Sequence, residues 1–253
     1  MRVGAQLYTV RDYCKTIEDI RETCKKVAGI GYTAVQISGF GPANPSDVAQ
    51  AMEDAGLAVA ATHMGWERFT NDLDALIAEH KTWKCPHPAI GGLPGEYHSA
   101  EGVARFIEEL TPVAARLAEE GMDFSYHNHN QELIKYGDKT WLAQLYEQAP
   151  GDVCKAEIDT YWIAAGGGDP AAWIEKCAGR QPLVHFKDMA MAAGREQRFA
   201  PIGEGNLNWP RILKACEKGG VEEILVEQDQ CYDLCPFDAL AVSYKNLSSW
   251  GLS

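Results

Sequence analysis

The chain has 253 residues, 46% of them hydrophobic and 23% charged, a length and balance that fit one globular domain able to bury a core. Its 36 acidic residues outnumber 23 basic ones, for a formal charge of −13. A negative surface repels phosphate backbones, so no nucleic-acid partner is expected.

In chain order, the pattern predicts eight strands near residues 3–8, 33–38, 58–63, 87–91, 123–128, 154–159, 182–187 and 223–228. Helices fall between and after them, near 16–28, 45–55, 71–83, 99–120, 138–148, 169–178, 208–218 and 236–248. Polar caps mark the helix starts, as in Thr16-x-x-Asp19 and Asp169-Pro170. A glycine just before an apolar run recurs at Gly31, Gly56, Gly121 and Gly220. It turns the chain from helix into strand. Eight such units, with no low-complexity linker, predict an α/β fold: one (β/α)8 barrel over residues 1–253. An open doubly wound sheet would carry a glycine-rich turn after its first strand, and Tyr8-Thr9-Val10-Arg11-Asp12 is not one.

Eight scattered cysteines, with no signal-peptide pattern in Met1–Gln6, predict reduced thiols in a cytoplasmic protein. Cys231 and Cys235 form a lone Cys-x3-Cys pair, too little for a structural zinc site. No apolar run is long enough to span a membrane.

Barrel active sites sit at the C-terminal ends of the strands. Four consecutive predicted strands each end in a group able to ligate a metal, within the pairs His127/His129, Glu157/Asp159, His185/Lys187 and Glu227/Asp229. Side chains alternate along a strand, so residues two apart share a face. If that face is inward, Asp159, His185 and Glu227 converge with either His127 or Glu132. One histidine or glutamate alone would more often be a core or surface residue. Four at successive strand ends are costly to bury without a cation. Glu157 lies deeper in its strand and is expected to pair with a neighbouring lysine. The donor types suit Mn, Mg, Co or Zn.

The segments Tyr126-His127-Asn128-His129, Asp159-Thr160, His185-Phe186-Lys187-Asp188, Gly203-Glu204-Gly205-Asn206-Leu207-Asn208-Trp209 and Val226-Glu227, in this order, resemble the xylose-isomerase-like barrel superfamily. Its members include sugar phosphate isomerases and epimerases, inosose dehydratases and ketose 3-epimerases. The resemblance runs from Gly4 to Glu227. It implies a divalent ion held by Asp159, His185, Glu227 and a strand-five residue, His127 or Glu132. It also implies proton transfer next to the carbonyl of a keto-sugar through an enediolate. The catalytic candidates are Glu227, Glu132, His127 and Lys187. The substrate-binding candidates are His63, Trp66, Trp162, Arg198 and His129, with Tyr8 and Gln36 also at the pocket. Trp162 stands where the epimerases carry a histidine, and His-x-Lys-Asp resembles the dehydratase branch. A lyase acting on an inosose or 3-keto-glycoside is therefore the alternative, and a non-catalytic sugar-binding barrel a third. The expected partner is a small sugar or keto-sugar, and nothing in the sequence opposes a homo-oligomer.

Overall fold

Helix starts and stops are written locally. Thr16 and Asp19 exchange side-chain and backbone bonds to open α1 (Ile17–Ile30). Asn44 and Pro45 open α2 (Pro45–Ala55), and Gly56 ends it at φ 70, a left-handed turn that costs a glycine little. The computed structural model describes residues 1–253. Six further flanking helices are α3 (Leu73–Trp83), α4 (Gly102–Glu119), α5 (Trp141–Gln148), α6 (Pro170–Lys176), α7 (Trp209–Gly219) and α8 (Pro236–Ser249).

Between them run β1 (Arg2–Gln6), β2 (Ala34–Ile37), β3 (Ala58–Met64), β4 (Pro88–Ile90), β5 (Ser125–His127), β6 (Lys155–Asp159), β7 (Leu183–Phe186) and β8 (Glu223–Val226). All pair in parallel with their sequence neighbours, and β8 returns to β1, closing a single-domain barrel. The eight predicted strands and their order are observed. No helix is long and apolar enough to cross a membrane. All eight cysteines are free, and six are buried.

Inward positions step by two along each strand and form layers. Ala34, Ala60, Ala61, Leu183 and Leu225 make a small apolar plug inside the barrel. Gly4 makes room for it, since a Cβ there would come within 3.0 Å of Leu225. Two residues further along, the same faces carry Gln6, Gln36, His185 and Glu227. The interior thus changes from apolar to polar in one step, and the site begins there.

The structure differs from the predicted pattern mainly outside the barrel. β1 stops at Gln6, whose side chain accepts from Tyr8 N–H and starts a 3-10 turn over Leu7–Tyr13. A short helix, Trp66–Asn71, precedes α3, and another, Thr160–Ala165, precedes α6. Two antiparallel hairpins, Lys135–Tyr136 with Lys139–Thr140 and Asp188–Ala192 with Glu196–Ala200, were not predicted; each is an excursion from the repeat.

Behind β3, the buried His80 bonds Leu76 O through Nδ1 and the Thr62 hydroxyl through Nε2, each at 2.7 Å, and so ties α3 to the residue before His63. Burial holds the His80 imidazole down at about 4. The unfolded chain takes up a proton near 6.5 and the folded one does not. Stability is therefore fully present above that value and falls as pH drops towards 4, by roughly 3 kcal/mol at most. Urea unfolding of wild type and His80→Leu at pH 7.5 and 4.5 checks this: the wild type should lose more over the interval. Equal losses would remove His80 as the cause.

Candidate functional site

Asp159 ends β6 and caps the helix that follows. Its Oδ1 accepts from Trp162 N–H at 2.8 Å, leaving Oδ2 turned into the barrel. Its own N–H donates to Asn128 Oδ1 at 3.1 Å, which locks it to the Tyr-His-Asn-His segment. Next door, the Thr160 hydroxyl lies 3.2 Å from His185 O, 2.9 Å from Lys187 O and 3.0 Å from Lys187 N, stitching β6 to β7. Asp159 and His185 are register partners, and Glu227 N–H continues the β8 ladder onto Phe186 O.

This scaffold brings four side chains together. His127, Asp159, His185 and Glu227 are all buried, and each offers one ligand atom within 4.8 Å of the others. Asp159 Oδ2 is 3.2 Å from His127 Nε2, and His185 Nδ1 is 3.0 Å from Glu227 Oε2. Lys187 Nζ sits against the same oxygens, 3.1 Å from Asp159 Oδ2, 2.8 Å from Glu227 Oε2 and 3.0 Å from Asp229 Oδ1.

Burial disfavours every charge here, and the pairings decide which survive. It raises the Asp159 carboxyl against the pull of Lys187 and His185. It works the same way on Glu227, but Lys187 and His185 outweigh it and hold that group well below the usual carboxylate range. It would depress Lys187, yet Asp159, Glu227 and Asp229 push that ammonium up, so it stays charged. His185 is likewise pushed up to about 10, burial being overcome by Glu157 and Glu227. Burial, then the neighbouring His185 and His63, hold His127 well below its ordinary value and neutral, ready to ligate, whereas His185 carries a proton that a bound ion would displace. Asp229 is pushed up to about 7 by burial and Glu227.

Two imidazoles and two carboxylates suit a divalent first-row ion. His127 turns Nε2 to Asp159, and its Nδ1 is buried without a hydrogen-bond partner, so nothing else in the chain claims that ring. The residues therefore fit such an ion. Above them opens a cavity of about 260 Å³, whose wall includes Tyr8, His63, His129, Lys187 and Asp229.

Other candidates are placed elsewhere. Glu132 is outside the four-atom set. Its buried carboxylate accepts from Tyr126 O–H at 2.9 Å, His98 Nε2 at 3.0 Å and His129 N–H at 2.8 Å, so it anchors the loop carrying His129. Trp66 is not at the cavity. It packs with Phe69, Phe106 and Phe124 in the outer core and donates to the Tyr97 hydroxyl. Arg198 lies on the outer hairpin, ion-paired with Glu196 and stacked over Tyr232. Trp162 stands beside the site, its ring 5.0 Å from that of His129 and 5.4 Å from Lys187 Nζ. Glu157 meets no lysine. It contacts His63, Gln36 and His185 below the site, because its face points into the barrel. The Gly203–Trp209 segment is structural: Gly203, Gly205 and Leu207 N–H and the Trp209 indole all donate to the buried Asp188. A Cβ at Gly205 would fall 2.3 Å from Asp188 Oδ1. Sequence reasoning missed Asp188 as the centre of that loop and Gln6 as part of the floor. Two-residue alternation from Phe186 and Gly4 was the available signal.

Glu132→Ala should leave Tyr126 and His98 without their acceptor and cost roughly 2–3 kcal/mol, read from urea unfolding. Ion binding, measured by titration calorimetry on the same variant, should persist. Lost ion binding with unchanged stability would make Glu132 a ligand.

Two curated relatives are each 27% identical: the rhizopine catabolism protein MocC of Rhizobium meliloti over 173 residues, and an inosose dehydratase of Clostridium beijerinckii over 152. Those matches take in 62% and 54% of this chain, and the chain spans about half the length of each relative, 51% and 50%. The crystal structure of a sugar phosphate isomerase/epimerase from Parabacteroides distasonis superposes with a TM-score of 0.82 at 20% identity, covering 98% of this chain and 93% of that one. That likeness shows the fold. A family model described as a xylose isomerase-like TIM barrel matches residues 15–229, and the chain belongs to that family.

Proposed function

We propose that this protein is a divalent-metal-dependent isomerase or epimerase that moves a proton on the carbon next to the carbonyl of a keto-sugar. The observation that carries this reading is the buried His127, Asp159, His185 and Glu227 set beneath a polar cavity of about 260 Å³. A bound ion would act as a Lewis acid on the substrate carbonyl. The chain's own groups do the rest. Lys187, at the cavity wall against Asp159, Glu227 and Asp229, is placed to serve as a hydrogen-bond donor to an oxygen that gains negative charge. Glu227 reaches the cavity and is the first choice for the group facing the reacting carbon. Asp229, near 7 and at the cavity wall, can take or return a proton. His129, kept neutral by burial and Lys187, is the other group placed to do so. Tyr8, at the cavity wall, offers its ring to a sugar, while Trp162 packs against His129 and Lys187 and supports that wall.

Lyase or dehydratase chemistry on an inosose or a 3-keto-glycoside is the second reading. Lys187 favours it, because an ammonium at the wall can also donate to a departing hydroxyl. The inosose dehydratase relative points the same way.

Purified protein should carry about one divalent ion per chain, and a chelator should abolish turnover that Mn, Co, Mg or Zn restores. Metal analysis showing none, with chelator-indifferent activity, overturns the reading. Glu227→Gln should lower kcat by about 10²–10⁴ while the fold persists by circular dichroism. A panel of ketoses, keto-inositols and 3-keto-glycosides, with products resolved by mass, separates the two readings. Epimers keep the substrate mass, and dehydration loses one water.

A further inference from the structure

Below the ion site lies a second buried polar group, and each of its hydrogen-bond directions can be traced to a backbone amide. Tyr8 N–H donates to Gln6 Oε1 at 3.1 Å, so the Gln6 amide nitrogen faces inward. That nitrogen is 2.8 Å from Gln36 Oε1 and 3.4 Å from His63 Nδ1. The Gln36 nitrogen therefore turns the other way and donates to Glu157 Oε1 at 2.8 Å. A carboxylate only accepts, so His63, with Nε2 2.9 Å from Glu157 Oε2, must place its proton there. For the same reason His185 Nε2, 2.6 Å from Gln36 Oε1 and 3.0 Å from Glu157 Oε1, faces two acceptors and must be protonated. Nδ1 faces carboxylates too, Glu227 at 3.0 Å and Asp159 at 3.8 Å, so without an ion both nitrogens carry a proton. An ion among those carboxylates would displace the Nδ1 proton, because Nε2–H is held by Gln36 and Glu157.

We propose that Glu157 is a positioning residue that fixes His185 as its Nε2–H tautomer and thereby presents Nδ1 to the ion. The proposal rests on the metal reading above. An imidazole that gives its second N–H to a carboxylate or amide oxygen is held in orientation and made a better ligand. Glu157 grips His63 by the same atom type, so one carboxylate orients both a ligand and a wall of the substrate cavity. His63, Glu157 and His185 are close enough to hold an ion of their own. In that layer the Gln36 amide donates to Glu157 and accepts from His185, filling the places an ion would take, so the proposal puts protons in that layer and a single ion in the layer above.

The test is metal affinity and tautomer, not turnover. Zn and Mn titrations of metal-free wild type, Glu157→Gln and Glu157→Leu should show about 10–100-fold weaker binding for the leucine variant. Glutamine keeps one acceptor oxygen, so it should recover part of the loss. Nitrogen-15 spectra of the Zn-loaded wild type should show His185 bound through Nδ1 with a protonated Nε2. That measurement needs no variant and stands even if Glu157→Leu does not fold. Coordination through Nε2, wild-type affinity in a folded Glu157→Leu, or a second ion lost on mutating Glu157 would each overturn the proposal. A wild type that binds no ion overturns the metal reading itself, and this proposal falls with it.

Discussion

A carboxylate buried inside a barrel must be met by donors on every side, since an uncompensated buried charge costs several kcal/mol. Glu157 imposes that demand here. It is fully buried, and burial alone would push its carboxyl up; His185 and His63 outweigh that and hold it well below the usual range. The response involves five strands: Gln6 from β1, Gln36 from β2, His63 from β3, Glu157 from β6 and His185 from β7. The β2–β3 register shifts at Val35/Gln36, next to one of the donors that has to be aimed. Small residues in the plug beneath leave the long polar side chains room to reach across. Because the network starts from a backbone N–H, its polarity cannot reverse without breaking β1's exit. The floor of the site is therefore preorganised by the same hydrogen bonds that satisfy the buried charge.

The rim is built differently. At the ends of β5 and β6, neighbouring atoms divide between local structure and the site. Asp159 caps a helix with Oδ1 and keeps Oδ2. Asn128 holds Asp159, and His127 beside it joins the ligand set. Asp188, adjacent to Lys187, spends its carboxylate on the Gly203–Trp209 loop and none on the cavity. Lys187 points the other way and is gripped by three carboxylates. The divided carboxylate of Asp159 sets its distance to His185 by cap geometry as well as by the sheet. A strand end that also starts a helix is for that reason a stiff mount for a ligand.

The barrel was readable from periodicity because each βα unit carries its own signals: a cap, an amphipathic stretch, a glycine and an apolar run. The additions were not, because a hairpin such as Asp188–Ala200 interrupts the period and depends on what it packs against. Phe199 stacks on Tyr161 at 4.1 Å, a contact no local pattern predicts. For the site, alternation singled out Asp159, His185 and Glu227 and left His127 against Glu132 open. The difference is directional. His127 is in the strand, so the barrel aims it inward, while Glu132 follows in a loop and turns to Tyr126 and His98. Residue type misled for Trp66 and Arg198, because an aromatic or a cation can serve the outer core or the surface equally well. The same alternation already bore on Glu157: two residues before Asp159, it had to share the inward face, where no lysine from a neighbouring helix could reach it. Its partners had to come from the barrel interior, and the inward glutamines and histidines of β1, β2, β3 and β7 are what that geometry supplies.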